Sequence, residues 1–106
     1  MAEVLACQVD DLADGESLRV EASVELGPAV AVHRVDGEFY ATDDLCTHED
    51  WSLGEDGDLE GYEIVCCLHQ AAFDVRTGEV TQFPATTPLK TYPVRVADGA
   101  VWVDLG

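Results

Sequence analysis

A chain of 106 residues, 47% of them apolar, is one domain with a modest core and no room for a second. Its 22 acidic residues outnumber 5 basic ones, for a net charge of −17. That balance excludes nucleic acid and anionic membrane surfaces, which bind through Lys and Arg that displace counterions.

A surface of this sign complements a cationic patch on another protein, although an acidic surface that merely keeps the chain soluble accounts for much of the same charge. Residues 1–10 hold Glu3 and no basic side chain, so the charged head of a secretory signal is missing. No apolar run approaches membrane-spanning length. Short Val-rich runs separated by Gly and Asp then recur along the chain. Residues 4–9, 17–24, 29–35, 38–42, 63–65, 72–75, 80–83, 91–96 and 101–104 read as strands. Asp36-Gly37 and Asp98-Gly99 sit between such runs and signal tight hairpins, and Arg76-Thr77-Gly78 marks a third turn. No segment keeps helical periodicity over three turns, and residues 10–16 form one turn at most. An all-β sandwich or barrel of short antiparallel strands follows, without repeats or a linker.

Between Arg34 and Arg76 there is no Lys or Arg, against twelve Asp or Glu. These read equally as solvated turn residues and as an anionic surround for whatever the segment holds. Asp56-Gly57-Asp58-Leu59-Glu60-Gly61 imitates half a calcium loop, but its twelfth position is Cys67 and no flanking helices are indicated.

The chemistry is concentrated in the same segment. Cys46-Thr47-His48 and, seventeen residues later, Cys66-Cys67-Leu68-His69 are two clips that each mix sulfur with imidazole. Thiolate and neutral imidazole together suit iron, zinc or copper. A structural zinc usually takes both Cys from one clip and both His from the other. A two-iron cluster with Cys on one iron and His on the other takes one residue of each type from each clip. Two ferric ions, two sulfides, two thiolates and two imidazoles sum to zero charge, so such a cluster accepts an electron more readily than a four-thiolate one. Cys66 gives C-x-x-H and Cys67 a second C-x-H; Cys66 is the ligand read here, with Cys67 a free thiol. Cys7 reads as a small buried hydrophobe and His33 as a strand residue. Two cysteines committed to His-bearing clips favour a reducing compartment, the cytoplasm.

The pattern C-x-H…C-x-x-H resembles the Rieske [2Fe–2S] motif. Asp36-Gly37-Glu38-Phe39-Tyr40-Ala41, Phe73-Asp74-Val75-Arg76-Thr77-Gly78-Glu79-Val80 and Leu89-Lys90-Thr91-Tyr92-Pro93-Val94 extend the likeness to the small Rieske ferredoxins of bacterial aromatic-ring-hydroxylating dioxygenases. The resemblance implies a Rieske-like antiparallel β-sandwich. Residues 1–42 and 74–106 would form its base, and 43–73 a cluster-binding subdomain made of two ligand loops. It implies Cys46, His48, Cys66 and His69 as ligands, the Cys on the inner iron and the His at an exposed tip. Trp51, Leu53, Phe73 and Phe83 would pack around the cluster base, with residues 83–85 as a third covering loop.

High-potential members of that family carry an extra Cys in each clip, where this chain has Trp51 and Leu68. They also place hydroxyl donors two and four residues after the last His, where this chain has Ala71 and Phe73. Without those donors, without that disulfide and in acidic surroundings, the cluster belongs near the low end of the Rieske range, roughly −150 mV. Gln70-Ala71-Ala72 also replaces a glycine common near the last His. No G-x-G-x-x-G and no independent 2-His-1-carboxylate set is present, so the chain is a one-electron carrier rather than an enzyme. By resemblance it passes electrons from a flavin-containing NAD(P)H reductase to a terminal oxygenase, docking through its acidic surface and the His48/His69 tip, as a monomer. The alternatives are a small Rieske-like subunit of a nitrite reductase and a zinc-stapled interaction module.

Overall fold

The computed structural model describes residues 3–21, 29–46, 52–66, 71–83 and 87–105. Eleven strands are found among them: β1 (Glu3–Gln8), β2 (Ser17–Val20), β3 (Val30–Val35), β4 (Glu38–Asp43), β5 (Asp58–Glu60), β6 (Glu63–Val65), β7 (Ala72–Asp74), β8 (Val80–Gln82), β9 (Thr91–Tyr92), β10 (Val94–Ala97) and β11 (Ala100–Asp104). The helical content among them is one 3-10 turn (Val9–Asp11) and α1 (Leu53–Asp56). All pairings are antiparallel and build three sheets, ordered β1-β11-β10, β2-β3-β4-β9 and β5-β6-β7-β8. The all-β expectation therefore holds.

Two hairpins close on the Asp-Gly pairs. Asp36 and Gly37 both take positive φ (51° and 79°), as do Asp98 and Gly99 (53° and 76°), the backbone that matches the twist of the strands a two-residue turn joins. Pro93 splits the run expected over 91–96. It has no N–H to give to a ladder, so the chain turns a corner there. Tyr92 pairs with Ala41 in the second sheet, while Val94 pairs with Val103 in the first.

Two hydrophobic cores result, and β3 lies between them. Val30 and Val32 belong to one, with Cys7, Leu12, Ala41, Tyr92, Val101 and Val103. Val35, on the alternate face, belongs to the other, with Cys46, Leu53, Ile64, Cys66, Ala71, Phe73, Val75 and Leu89. Burial on both faces explains why this strand reads as a nearly unbroken apolar run. The third sheet covers the second core and takes in β8 as its outer strand.

Gly78 ties the end of β7 to the segment leading into β9. It donates its amide to the Asp74 carbonyl (2.7 Å) and accepts from the Leu89 amide (2.8 Å). Its φ is +81°, and a Cβ there would lie 2.0 Å from the Leu89 carbonyl oxygen, so only glycine fits.

Candidate metal centre

Each clip is a loop closed at its base. In the first, Leu45 bridges Ser52, and the Leu53 amide donates to the Asp44 carbonyl (2.7 Å). Ser52 caps α1 by accepting from the Glu55 amide (3.2 Å), and it donates its hydroxyl to Asp44 Oδ1 (3.0 Å). The Gly54 amide donates to the same oxygen (2.9 Å). In the second, β6 and β7 pair through Ile64 with Phe73 and Val65 with Ala72. The Cys66 amide then donates to the Ala71 carbonyl (2.6 Å).

Both loops bring a thiol to the same place. Cys46 is 4% exposed and Cys66 fully buried, and they share the second core with Leu53, Ala71 and Phe73, all fully buried. Leu53 and Phe73 thus pack around the base of the site as expected. Phe83 does not: it is 78% exposed and belongs to neither core. It follows directly on β8, an outer strand of the third sheet, which leaves its ring facing solvent. Trp51, His48, Cys67 and His69 lie outside the described residues, as does most of the covering loop expected at 83–85. The donor set fits a metal cluster on the sulfur side. Two buried thiols share one apolar core, and in the sequence an imidazole-bearing residue follows each of them two or three positions later.

Away from this centre, Cys7 is buried in the first core, and burial raises its thiol pKa. His33 is fully buried on β3, with Nδ1 2.7 Å from Ser17 Oγ and Nε2 2.9 Å from Thr42 Oγ1. Desolvation lowers its pKa to about 3. It is a structural histidine, as its place in an apolar strand suggested. Asp44 was legible in the sequence only as one acidic residue among many, yet it is fully buried at the base of the first loop.

All five basic residues are engaged within the fold. Arg19 pairs with Glu21, Asp44 and Glu55, Arg34 with Asp14, Arg76 with Asp74 and Arg95 with Glu3, while Lys90 sits over the Tyr92 ring. Arg76 also stacks on Tyr62 (4.0 Å), which meets Tyr40 edge to face. The surplus charge that remains is carboxylate.

Residues 2–93 match the family model of the Rieske [2Fe–2S] domain. The chain is 48% identical over 100 residues to the ferredoxin component of the p-cumate 2,3-dioxygenase system of Pseudomonas putida, covering 94% of this chain and 83% of that one. In structure it is similar to the Sphingomonas yanoikuyae B1 ferredoxin (TM-score 0.90, 43% identity, 97% of this chain and 98% of that one). It is also similar to a chain in a complex of reduced oxygenase and oxidised ferredoxin in carbazole 1,9a-dioxygenase (TM-score 0.89, 40% identity, 95% and 91%). A nitrite reductase small subunit from Mycobacterium tuberculosis shares the fold at 22% identity. The zinc-staple alternative falls with these findings: the chain belongs to the Rieske [2Fe–2S] domain family, whose cofactor is a two-iron, two-sulfide cluster.

Proposed function

We propose that this protein is the ferredoxin of a multicomponent aromatic-ring dioxygenase. It takes one electron from a flavin-containing NAD(P)H reductase and gives it to the terminal oxygenase, without catalysing a reaction alone. The observation that carries this reading is that Cys46 and Cys66, one from each clip, lie buried together in one apolar core. Identity across nearly the whole chain to a dioxygenase ferredoxin component supports the system in which it works.

When bound, the cluster supplies a one-electron couple. Cys46 and Cys66 would hold it through their thiolates, and His48 and His69 would supply the imidazole ligands. Complete burial of Cys66 within the core that also contains Cys46 supports it over Cys67 as the ligand. Leu53, Ala71 and Phe73 exclude water from the sulfur side, and the two short loop closures limit how far the ligands move when the charge changes. Docking relies on unpaired carboxylates meeting cations on the partner, a reading supported by the internal use of all five basic residues. The carrier is monomeric and cytoplasmic, as a small transient partner of an NAD(P)H-dependent reductase would be.

Iron and acid-labile sulfide analysis of the anaerobically purified protein tests this directly. Two of each per chain are expected, with a Rieske-type signal on reduction, and absence of sulfide after reconstitution overturns the reading. Cys66→Ser should abolish the cluster and Cys67→Ser should keep it. With a flavin reductase and a ring-hydroxylating oxygenase added, ring oxidation should depend on this protein.

A further inference from the structure

Asp44 is a fully buried carboxylate that ties four segments together. Its amide donates to the Ala29 carbonyl (3.2 Å), and its own carbonyl accepts from Leu53 (2.7 Å). Oδ1 accepts from Ser52 Oγ and the Gly54 amide. Oδ2 has no hydrogen-bond partner and lies 3.5 Å from Arg19 Nε, itself without one. The close approach is built in: a Cβ on Gly54 would sit 2.6 Å from the Arg19 amide nitrogen and 2.9 Å from Asp44 Oδ1. The guanidinium also reaches Glu55 (3.1 Å) and Glu21 (3.3 Å) at the edge of a solvent-open cavity of about 480 Å³ lined by Leu18, Arg19, Glu21, Gly54 and Glu55.

A buried carboxylate is costly, and a stabilising role alone would be served as well by a neutral acceptor. What a neutral acceptor lacks is charge. Asp44 stands two residues before Cys46, so their Cα atoms are within roughly 7 Å of each other. A fixed negative charge so close to the cluster opposes adding an electron, and the guanidinium beyond it offsets that opposition in part.

We propose that Asp44 is a positioning residue for the first ligand loop whose buried charge lowers the cluster potential, with Arg19 as the counter-charge that limits the effect. This rests on Cys46 being a cluster ligand. The two ideas fail separately, because a wrong ligand assignment shows as a cluster retained in Cys46→Ser, whereas a wrong role for Asp44 shows as an intact cluster with an unmoved potential in Asp44→Asn.

The experiment is film voltammetry of the cluster-loaded protein, with visible circular dichroism and EPR to confirm an unchanged cluster. Asp44→Asn keeps an acceptor for Ser52 and Gly54 and removes the charge. It should raise the reduced-to-oxidised ratio at fixed ambient potential by roughly tenfold, or 59 mV for a one-electron couple. Arg19→Gln should shift the ratio the opposite way, and Arg19→Lys should restore it. An unmoved potential in Asp44→Asn overturns the proposal, as does Arg19→Gln shifting in the same direction as Asp44→Asn. Should Asp44→Asn fail to fold, the Arg19 pair decides: equal potentials for Arg19→Gln and Arg19→Lys overturn it.

Discussion

Replacing His33 with glutamine isolates one buried titratable group. Thr42 Oγ1 donates its only proton to the Asp43 carbonyl (3.0 Å), so His33 Nε2 must donate to Thr42, and Nδ1 must accept from Ser17. The neutral ring is fully satisfied and dry, and desolvation holds its pKa at about 3, down from 6.5. The unfolded chain takes up a proton near 6.5 and the folded chain does not, so neutral burial stabilises above that value, and the contribution is lost as pH falls toward 3. At 1.36 kcal/mol per unit, the loss between pH 7 and pH 5 is about 2 kcal/mol, and over the full window about 5 kcal/mol. Urea unfolding of the cluster-loaded protein at the two pH values, followed by tryptophan fluorescence, measures it. The carboxylates contribute equally to wild type and variant, so they cancel in the difference. His33→Gln should be less stable at pH 7 but should lose about 2 kcal/mol less on going to pH 5. Parallel losses in the two proteins would refute the reasoning. So would imidazole nitrogen resonances showing His33 titrating near its ordinary value.

Phe73→Tyr places a hydroxyl in the core shared by Cys46 and Cys66. If that hydroxyl reaches a sulfur it stabilises the added charge, so voltammetry should show the potential rising from its expected value of roughly −150 mV. Gly54→Ala drives a methyl group into the Arg19 backbone, and it should cost about 1–3 kcal/mol in thermal unfolding; an unchanged melting temperature contradicts the packing at α1. Because all five basic residues are occupied within the fold, electron delivery to the oxygenase should slow steeply as salt is raised from low ionic strength, read by stopped-flow; a flat profile argues for an uncharged docking face.

Alternation and Asp-Gly pairs were enough to find most strands, because both are local signals: the positive φ at Asp36, Gly37, Asp98 and Gly99 is demanded by the turns themselves. What escaped was decided by tertiary pairing. Asp58–Glu60 reads as an acidic loop, yet it forms β5 because β6 offers a ladder, with Leu59 opposite the buried Ile64. α1 is one turn long, too short for any periodicity, and it exists because Ser52 caps it over Asp44. The two Cys- and His-bearing clips stand out because metal chemistry constrains residue type and spacing directly. Nothing in Asp43-Asp44 says that the second carboxylate turns inward while the first stays half-buried and accepts from the Tyr92 hydroxyl (2.5 Å). That choice is made by distant partners, Arg19 and Gly54, which sequence spacing cannot connect.

The division into two cores has a consequence for a carrier. Electron transfer is fast when the ligands barely move between oxidation states. The second core supplies rigidity where the sulfurs sit: Phe73, Leu53, Ile64 and Cys66 are all fully buried, and truncating Phe73 to alanine would cost about 3–5 kcal/mol. β3 shares its two faces between the cores, so loosening the base also loosens the pocket. A variant that destabilises the first core alone, such as Val101→Ala, should therefore accelerate cluster loss on heating as well as unfolding. Cluster loss independent of the first core would mean that the two halves melt separately.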